Sequence, residues 1–114
     1  MGGMAYDEEV AERIRELILG EPGLIEKKMF GGLAFLIGGN MAIAASGQGG
    51  LLVRVDPADT DKLLNDTSAQ PFVMRGKAMR GWLRVDAEDV GTKRELVKWV
   101  KRGTAYARSL PPKA

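Results

Sequence analysis

The chain has 114 residues and a formal charge of +2, from 17 Lys+Arg against 15 Asp+Glu, and contains neither cysteine nor histidine. With 45% hydrophobic and 28% charged residues it has the balance of an ordinary globular domain, long enough to bury one core without disulfides. The two absences exclude thiol nucleophiles, disulfides, iron–sulfur clusters and zinc knuckles, together with His-based triads and imidazole metal ligands.

No basic segment followed by an apolar run opens the chain, so no secretory signal is expected. Tyr6 stands where a myristoylation pattern needs Ser or Thr. The residues of 1–5 are expected to be disordered or foreign to the domain, and 111–114 to form a tail. The longest uncharged run, Met29 to Val53, is broken by Gly31-Gly32, Gly38-Gly39-Asn40 and Ser46-Gly-Gln-Gly-Gly50, and reads as short strands joined by turns instead of a membrane span. A cytoplasmic protein without membrane contact is expected.

The first element is a helix over about Asp7 to Leu19, where Val10, Ile14, Leu17 and Ile18 form one apolar stripe. Asp7, Glu8 and Glu9 suit the positive end of its dipole, and Gly20 with Pro22-Gly23 ends it. Four short apolar runs follow: Leu24–Phe30, Leu33–Ile37, Met41–Ala45 and Leu51–Val55. Gly31-Gly32 reads as a tight turn or as a bulge in one bent strand, and Gly38-Gly39-Asn40 as a hairpin turn of the type that needs positive φ. Connections this short predict antiparallel pairing.

Asp56-Pro57 signals a second helix, with Asp56 as cap, Leu63 and Leu64 as buried contacts and Asn65-Asp66 as its end. Two more strands, Phe72–Met74 and Trp82–Val85, flank a basic loop, Arg75-Gly-Lys-Ala-Met-Arg-Gly81. The last helix runs from about Thr92 to Ser109, opened by the capping box Thr92-x-x-Glu95 and stopped by Pro111-Pro112. The order α-β-β-β-β-α-β-β-α predicts a single two-layer α+β domain over 1–114, with helices packed on one face of an antiparallel sheet.

Candidate chemistry is sparse. The glycine clusters lack the spacing of a dinucleotide fingerprint, and Gly76-Lys77 lacks that of a P-loop, so they read as turns. The acidic clusters Asp56/Asp59/Asp61 and Asp86/Glu88/Asp89 lie where carboxylates stabilise helix starts, and neither has EF-hand spacing. Ser46 lies in a turn with no base beyond Lys or a carboxylate. No catalytic residue, cofactor or metal site is predicted.

Charge is segregated along the chain. Asp7 to Glu21 holds six acids and two bases, Arg75 to Arg84 four bases and no acid, and Lys93 to Arg108 six bases and one acid. On the last helix Arg94, Lys98, Lys101, Arg102 and Arg108 share a face opposite Leu96, Trp99, Val100, Gly103, Tyr106, Ala107 and Leu110. Bases at a helix C-terminus complement its dipole, and the acidic stripe Glu8, Glu12 and Glu16 offers internal partners; Lys93 and Arg94 lie at the wrong end for the dipole account. The alternative is an anion- or nucleic-acid-facing patch of Arg75, Lys77, Arg80, Trp82, Arg94, Lys98 and Arg102, limited by the small net charge. Within it, Trp82 reads more readily as a core residue than as a stacking platform, and Met29, Met41, Met74 and Met79 as core filler.

The stretch Lys27-Lys-Met-Phe-Gly-Gly-Leu-Ala-Phe-Leu-Ile-Gly-Gly-Asn-Met-Ala-Ile-Ala44, with Gly50-Leu-Leu-Val-Arg54 and Gly81-Trp-Leu-Arg-Val85, resembles the TfoX/Sxy N-terminal domain family over essentially the whole of Tyr6 to Pro111. Its sharpest marks are Met29-Phe30-Gly31-Gly32, Gly38-Gly39 and Arg84-Val85. The resemblance implies a two-layer α+β fold and a transcriptional co-regulator of natural competence, acting with the cyclic-AMP receptor protein by protein contact. The competence regulators carry a second, C-terminal helical domain that is absent from this sequence. The expected function is therefore a non-enzymatic regulatory or interaction domain whose partner is another, transcription-related protein. Weak nucleic-acid or anion binding is the alternative, and a small-ligand domain using the sheet face or the Arg75–Trp82 segment is a third.

Overall fold

The computed structural model describes residues 6–29 and 31–113. Three helices, α1 (Glu8–Ile18), α2 (Thr60–Asp66) and α3 (Lys93–Ser109), accompany six strands: β1 (Leu24–Met29), β2 (Gly32–Ile37), β3 (Asn40–Ala45), β4 (Leu51–Arg54), β5 (Gln70–Met74) and β6 (Lys77–Val85). The strands form one antiparallel sheet in the order β1-β2-β3-β4-β6-β5. This is the predicted α+β arrangement.

Local chemistry sets the boundaries. The Asp7 carboxylate accepts from the amides of Glu9 (2.9 Å) and Val10 (3.4 Å), satisfying two of the donors that α1 leaves open. Thr92 does the same for Glu95 of α3, at 3.2 Å. Asp56 caps a short 3₁₀ turn, Pro57–Asp59, through Ala58 N at 2.9 Å, and α2 follows only at Thr60. A second 3₁₀ turn, Ala87–Val90, carries the acids Glu88 and Asp89.

Ile37 pairs with Asn40 across Gly38 (φ +60°) and Gly39 (φ +83°), the mirror-image turn that glycine favours. Met29 pairs with Gly32, so β1 and β2 are two strands of a hairpin and not one bent strand; Phe30 lies outside the described residues. Arg75 (φ +55°) and Gly76 (φ +76°) close a third two-residue hairpin between Met74 and Lys77. This corrects the expected loop over Arg75–Gly81: all but its first two residues belong to β6. The pattern hid the strand because exposed Lys, Ala, Met and Arg in succession offer no apolar alternation.

One face of the sheet carries Leu33, Phe35, Ile37, Ile43, Leu51, Val53, Leu83 and Val85, and α1 and α3 cover it with Val10, Ile14, Ile18, Leu96, Trp99 and Val100. Each fully buried Ile, Leu or Phe contributes roughly 1.5–3 kcal/mol. The register shift between Phe35 and Leu36 leaves Ala42 as an extra residue on β3, so Ala42 and Ile43 both join this core. Gly103 of α3 lies directly over that bulge. β6 bends at Gly81 (φ +87°), whose amide donates to Thr60 Oγ1 at 2.9 Å and whose carbonyl accepts from Val55 N at 2.8 Å. The tail after α3 lies on the β2–β3 turn: Lys113 N donates to Gly38 O at 2.7 Å, and the buried Asn40 Nδ2 to Pro111 O at 3.0 Å.

Candidate interaction surfaces

The predicted patch is spread over several places. Arg75 and Lys77 stand exposed at the β5–β6 turn. Arg80 turns back to α2, donating to Asp61 at 3.3 Å and to Pro57 O at 3.0 Å. Trp82 is half-buried on the second face of the sheet, with the Arg54 guanidinium 5.0 Å from its ring centre and 5.7 Å from that of Tyr106. Arg94 is exposed in the first turn of α3, Lys98 stands 3.5 Å from Glu95, and Arg102 stacks on Trp99 at 4.5 Å. Of the seven, Lys98 and Arg102 share a hollow and the rest lie apart from it.

The acidic stripe of α1 does not lie against the basic face of α3 as a row of ion pairs. Glu12 and Glu26 both bind Arg15, while Glu21, just past α1, pairs with Arg108. The hydrogen bonds that Arg15 donates hold the Glu26 carboxyl below the usual carboxylate range, and its bonds to the accepting carboxylates of Glu26 and Glu12 raise the Arg15 guanidinium further. This perturbed pair pins β1 to α1 at the surface and is a structural feature.

The hollow shared by Lys98 and Arg102 is a cleft of about 800 Å³ between α2 and α3. Leu63, Trp99 and Tyr106 form its wall, and its rim mixes acids (Asp59, Asp66) with bases (Lys62, Lys98, Arg102). A rim of both signs has no strong field of either. Among the described residues no three Asp or Glu side chains stand close enough to hold a metal ion.

The second face of the sheet is different. Ala34, Met41, Ala44 and Leu52 are buried in a small cluster, with Met29, Leu36, Phe72 and Trp82 packed around it, and this cluster contains no helix residue. The far half of the β5–β6 hairpin curls over this face, so that Phe72, Met74 and Arg75 share a hollow of about 330 Å³ with Met29 and Leu52. Large apolar side chains remain exposed there and on the hairpin: Ile25 and Val73 at 57%, Met74 and Met79 near 36%. Met74 and Met79 are thus surface residues, correcting their reading as core filler, while Met41 is buried as expected. Sequence reasoning also missed Ile25, Phe72, Val73 and Tyr106 as surface-forming residues. The alternation of β1 and β2 held the signal, because Ile25 and Met29, and Ala34 and Leu36, are a second apolar set opposite the one facing the helices.

An open antiparallel sheet whose helices, among the described residues, lie on one face only, and whose second face is apolar and uncovered by them, defines a small two-layer α+β domain. The TfoX N-terminal domain family matches residues 18–107, and the chain belongs to that family. Membership supports a regulatory or interaction-type domain in general terms, and the TfoX N-terminal domain is not a known enzyme family. No curated protein matches the chain. Among the described residues no helix is long and apolar enough to cross a membrane.

Proposed function

We propose that this chain is a non-enzymatic regulatory domain that acts by contacting another protein, in the manner its resemblance to competence co-regulators implies, within the cytoplasm. The observation that carries this reading is the uncovered apolar sheet face, with aliphatic side chains exposed at Ile25, Val73, Met74 and Met79. Such side chains gain by burial against protein. Nucleic-acid binding through Arg75, Lys77, Arg80, Trp82, Arg94, Lys98 and Arg102 has less support, because Arg80, Lys98 and Arg102 already have partners within the fold and phosphate affinity grows with the number of free cations. The test is cross-linking in native lysate, affinity isolation of the chain and mass spectrometry. One protein recovered reproducibly in near-stoichiometric amount is expected; a chain recovered alone, or saturable and salt-dependent binding of labelled DNA at micromolar protein, would overturn the reading.

A further inference from the structure

The acids of this molecule are distributed unevenly between its two layers. The six strands contain one acid, Glu26, and six bases, Lys27, Lys28, Arg54, Lys77, Arg80 and Arg84, with Arg75 between β5 and β6. Glu26 pairs across the ladder with Phe35, which faces the helices, and it is bound by Arg15 of α1, so it belongs to the covered face. On the uncovered face Lys27 lies beside Ala34, and Arg84 projects between the inward-facing Leu83 and Val85. The acid next in line, Asp86, follows β6 and accepts from Gln70. This face is therefore apolar in its floor and basic around it, while thirteen of the other fourteen acids sit in the helical segments and the residues leading into them, and Glu21, just past α1, is held by Arg108 of α3.

We infer that the uncovered face, with the overhanging β5–β6 hairpin, is the docking surface for an acidic, apolar segment of the protein partner; this rests on the protein-contact reading above. Charge complementarity selects the occupant: Lys27, Arg75 and Lys77 meet acids on the partner, and its apolar side chains fill the hollow beside Met29, Leu52 and Phe72. The sheet edges are poorer sites. β1 presents Glu26, Lys27 and Lys28 in succession, and β5 contains Pro71, both devices that discourage edge pairing. A nucleic acid fits less well, because Arg84 is occupied by Gln48 and Gly49 O, at 2.8 Å each, and exposed aliphatics offer phosphate nothing.

The test places the photo-cross-linker p-benzoylphenylalanine in the full chain at exposed Val73, and separately at Lys62 on the helix side, irradiates each in native lysate and sequences the linked segments. The Val73 probe should capture one protein through a segment in which Asp+Glu outnumber Lys+Arg among Leu, Ile, Val, Phe or Met. Its yield should fall several-fold in Lys77→Glu and again in about 0.5 M salt, where exposed charges are screened within a few ångströms. A neutral or basic segment, a nucleic-acid adduct, or a second copy of this chain at Val73 overturns the inference. Capture at Lys62 with none at Val73 overturns this surface but leaves the protein-contact reading standing, whereas capture at neither position counts against both.

Discussion

Gly103→Ala is the sharpest test of how the two layers fit. In an exposed helix interior this change gains about 1 kcal/mol of propensity. Here a methyl group on Gly103 would come within 3.0 Å of the Ala42 carbonyl carbon and nearer still to its oxygen. Both are backbone atoms of the β3 bulge and cannot swing aside as a side chain could. Restoring ordinary carbon contacts of about 3.5–4.0 Å requires α3 to retreat by about 0.5–1 Å, which forfeits a quarter to a half of each dispersion contact on its inner face. That face holds Leu96, Trp99, Val100 and Ala107, all buried. Overpacking of this kind costs about 1–3 kcal/mol, and since α3 is the main cover of β3 the upper part of that range applies, for a net loss of about 1–2 kcal/mol after the propensity gain. Urea unfolding followed by the fluorescence of Trp82 and Trp99 measures it. Gly91→Ala is the control: its φ is −63° and the added methyl meets an ordinary contact at 3.6 Å, so it should be neutral or slightly stabilising. Gly103→Ala at or above wild-type stability would refute the close approach of α3 to the bulge.

Three further outcomes follow from the same packing. Thr60→Val leaves the buried Gly81 amide without its acceptor and should destabilise by about 1–3 kcal/mol, with Thr60→Ser restoring most of the loss in thermal unfolding. Asn40→Ala removes the bond to Pro111 O; a loss of about 0.5–1.5 kcal/mol is expected, together with faster hydrogen exchange at the Lys113 amide. Because Arg15 lowers the folded-state pKa of Glu26, the stabilisation from that pair is full above the ordinary carboxylate value of about 4.3 and is lost as pH falls through the folded value. Glu26→Gln should flatten that part of a melting-temperature profile taken from about pH 7 to about pH 3.

The architecture was legible where local chemistry and tertiary packing ask for the same residue. Gly38-Gly39 had to be a turn, since the hairpin needs positive φ at both positions, and Thr92 with Glu95 marked the start of α3 at the residue the capping geometry uses. The β5–β6 turn was obscure for the converse reason: Arg75 adopts φ +55° without being glycine, only Lys77 and Ala78 of the following arm pair with β5 beside the turn, and Lys77 to Arg80 are all exposed, so burial left no imprint on their order. The basic residues were visible individually but not in their grouping. Whether Arg80 meets solvent or Asp61 depends on where α2 lands against β6, a contact spanning 19 positions that no periodicity encodes. The second apolar face was recorded in β1 and β2, but its floor is formed by alanines (Ala34, Ala44), which read as neutral in a pattern built on large side chains.

The latch between the tail and the β2–β3 turn bears on the order in which the molecule can be completed as it leaves the ribosome. Asn40 emerges 71 positions before Pro111, and the sheet face beneath α3 is finished, with Val85 in place, before the first residue of that helix appears. For that interval the nascent chain carries an almost complete antiparallel sheet whose larger apolar face lacks its principal cover and whose central turn holds an amide without its acceptor. Vectorial synthesis therefore cannot finish this fold piece by piece: α3 and the four residues behind it, Leu110 to Lys113, close the core in one late step, and a chain truncated before Lys93 displays the surface most prone to aggregate.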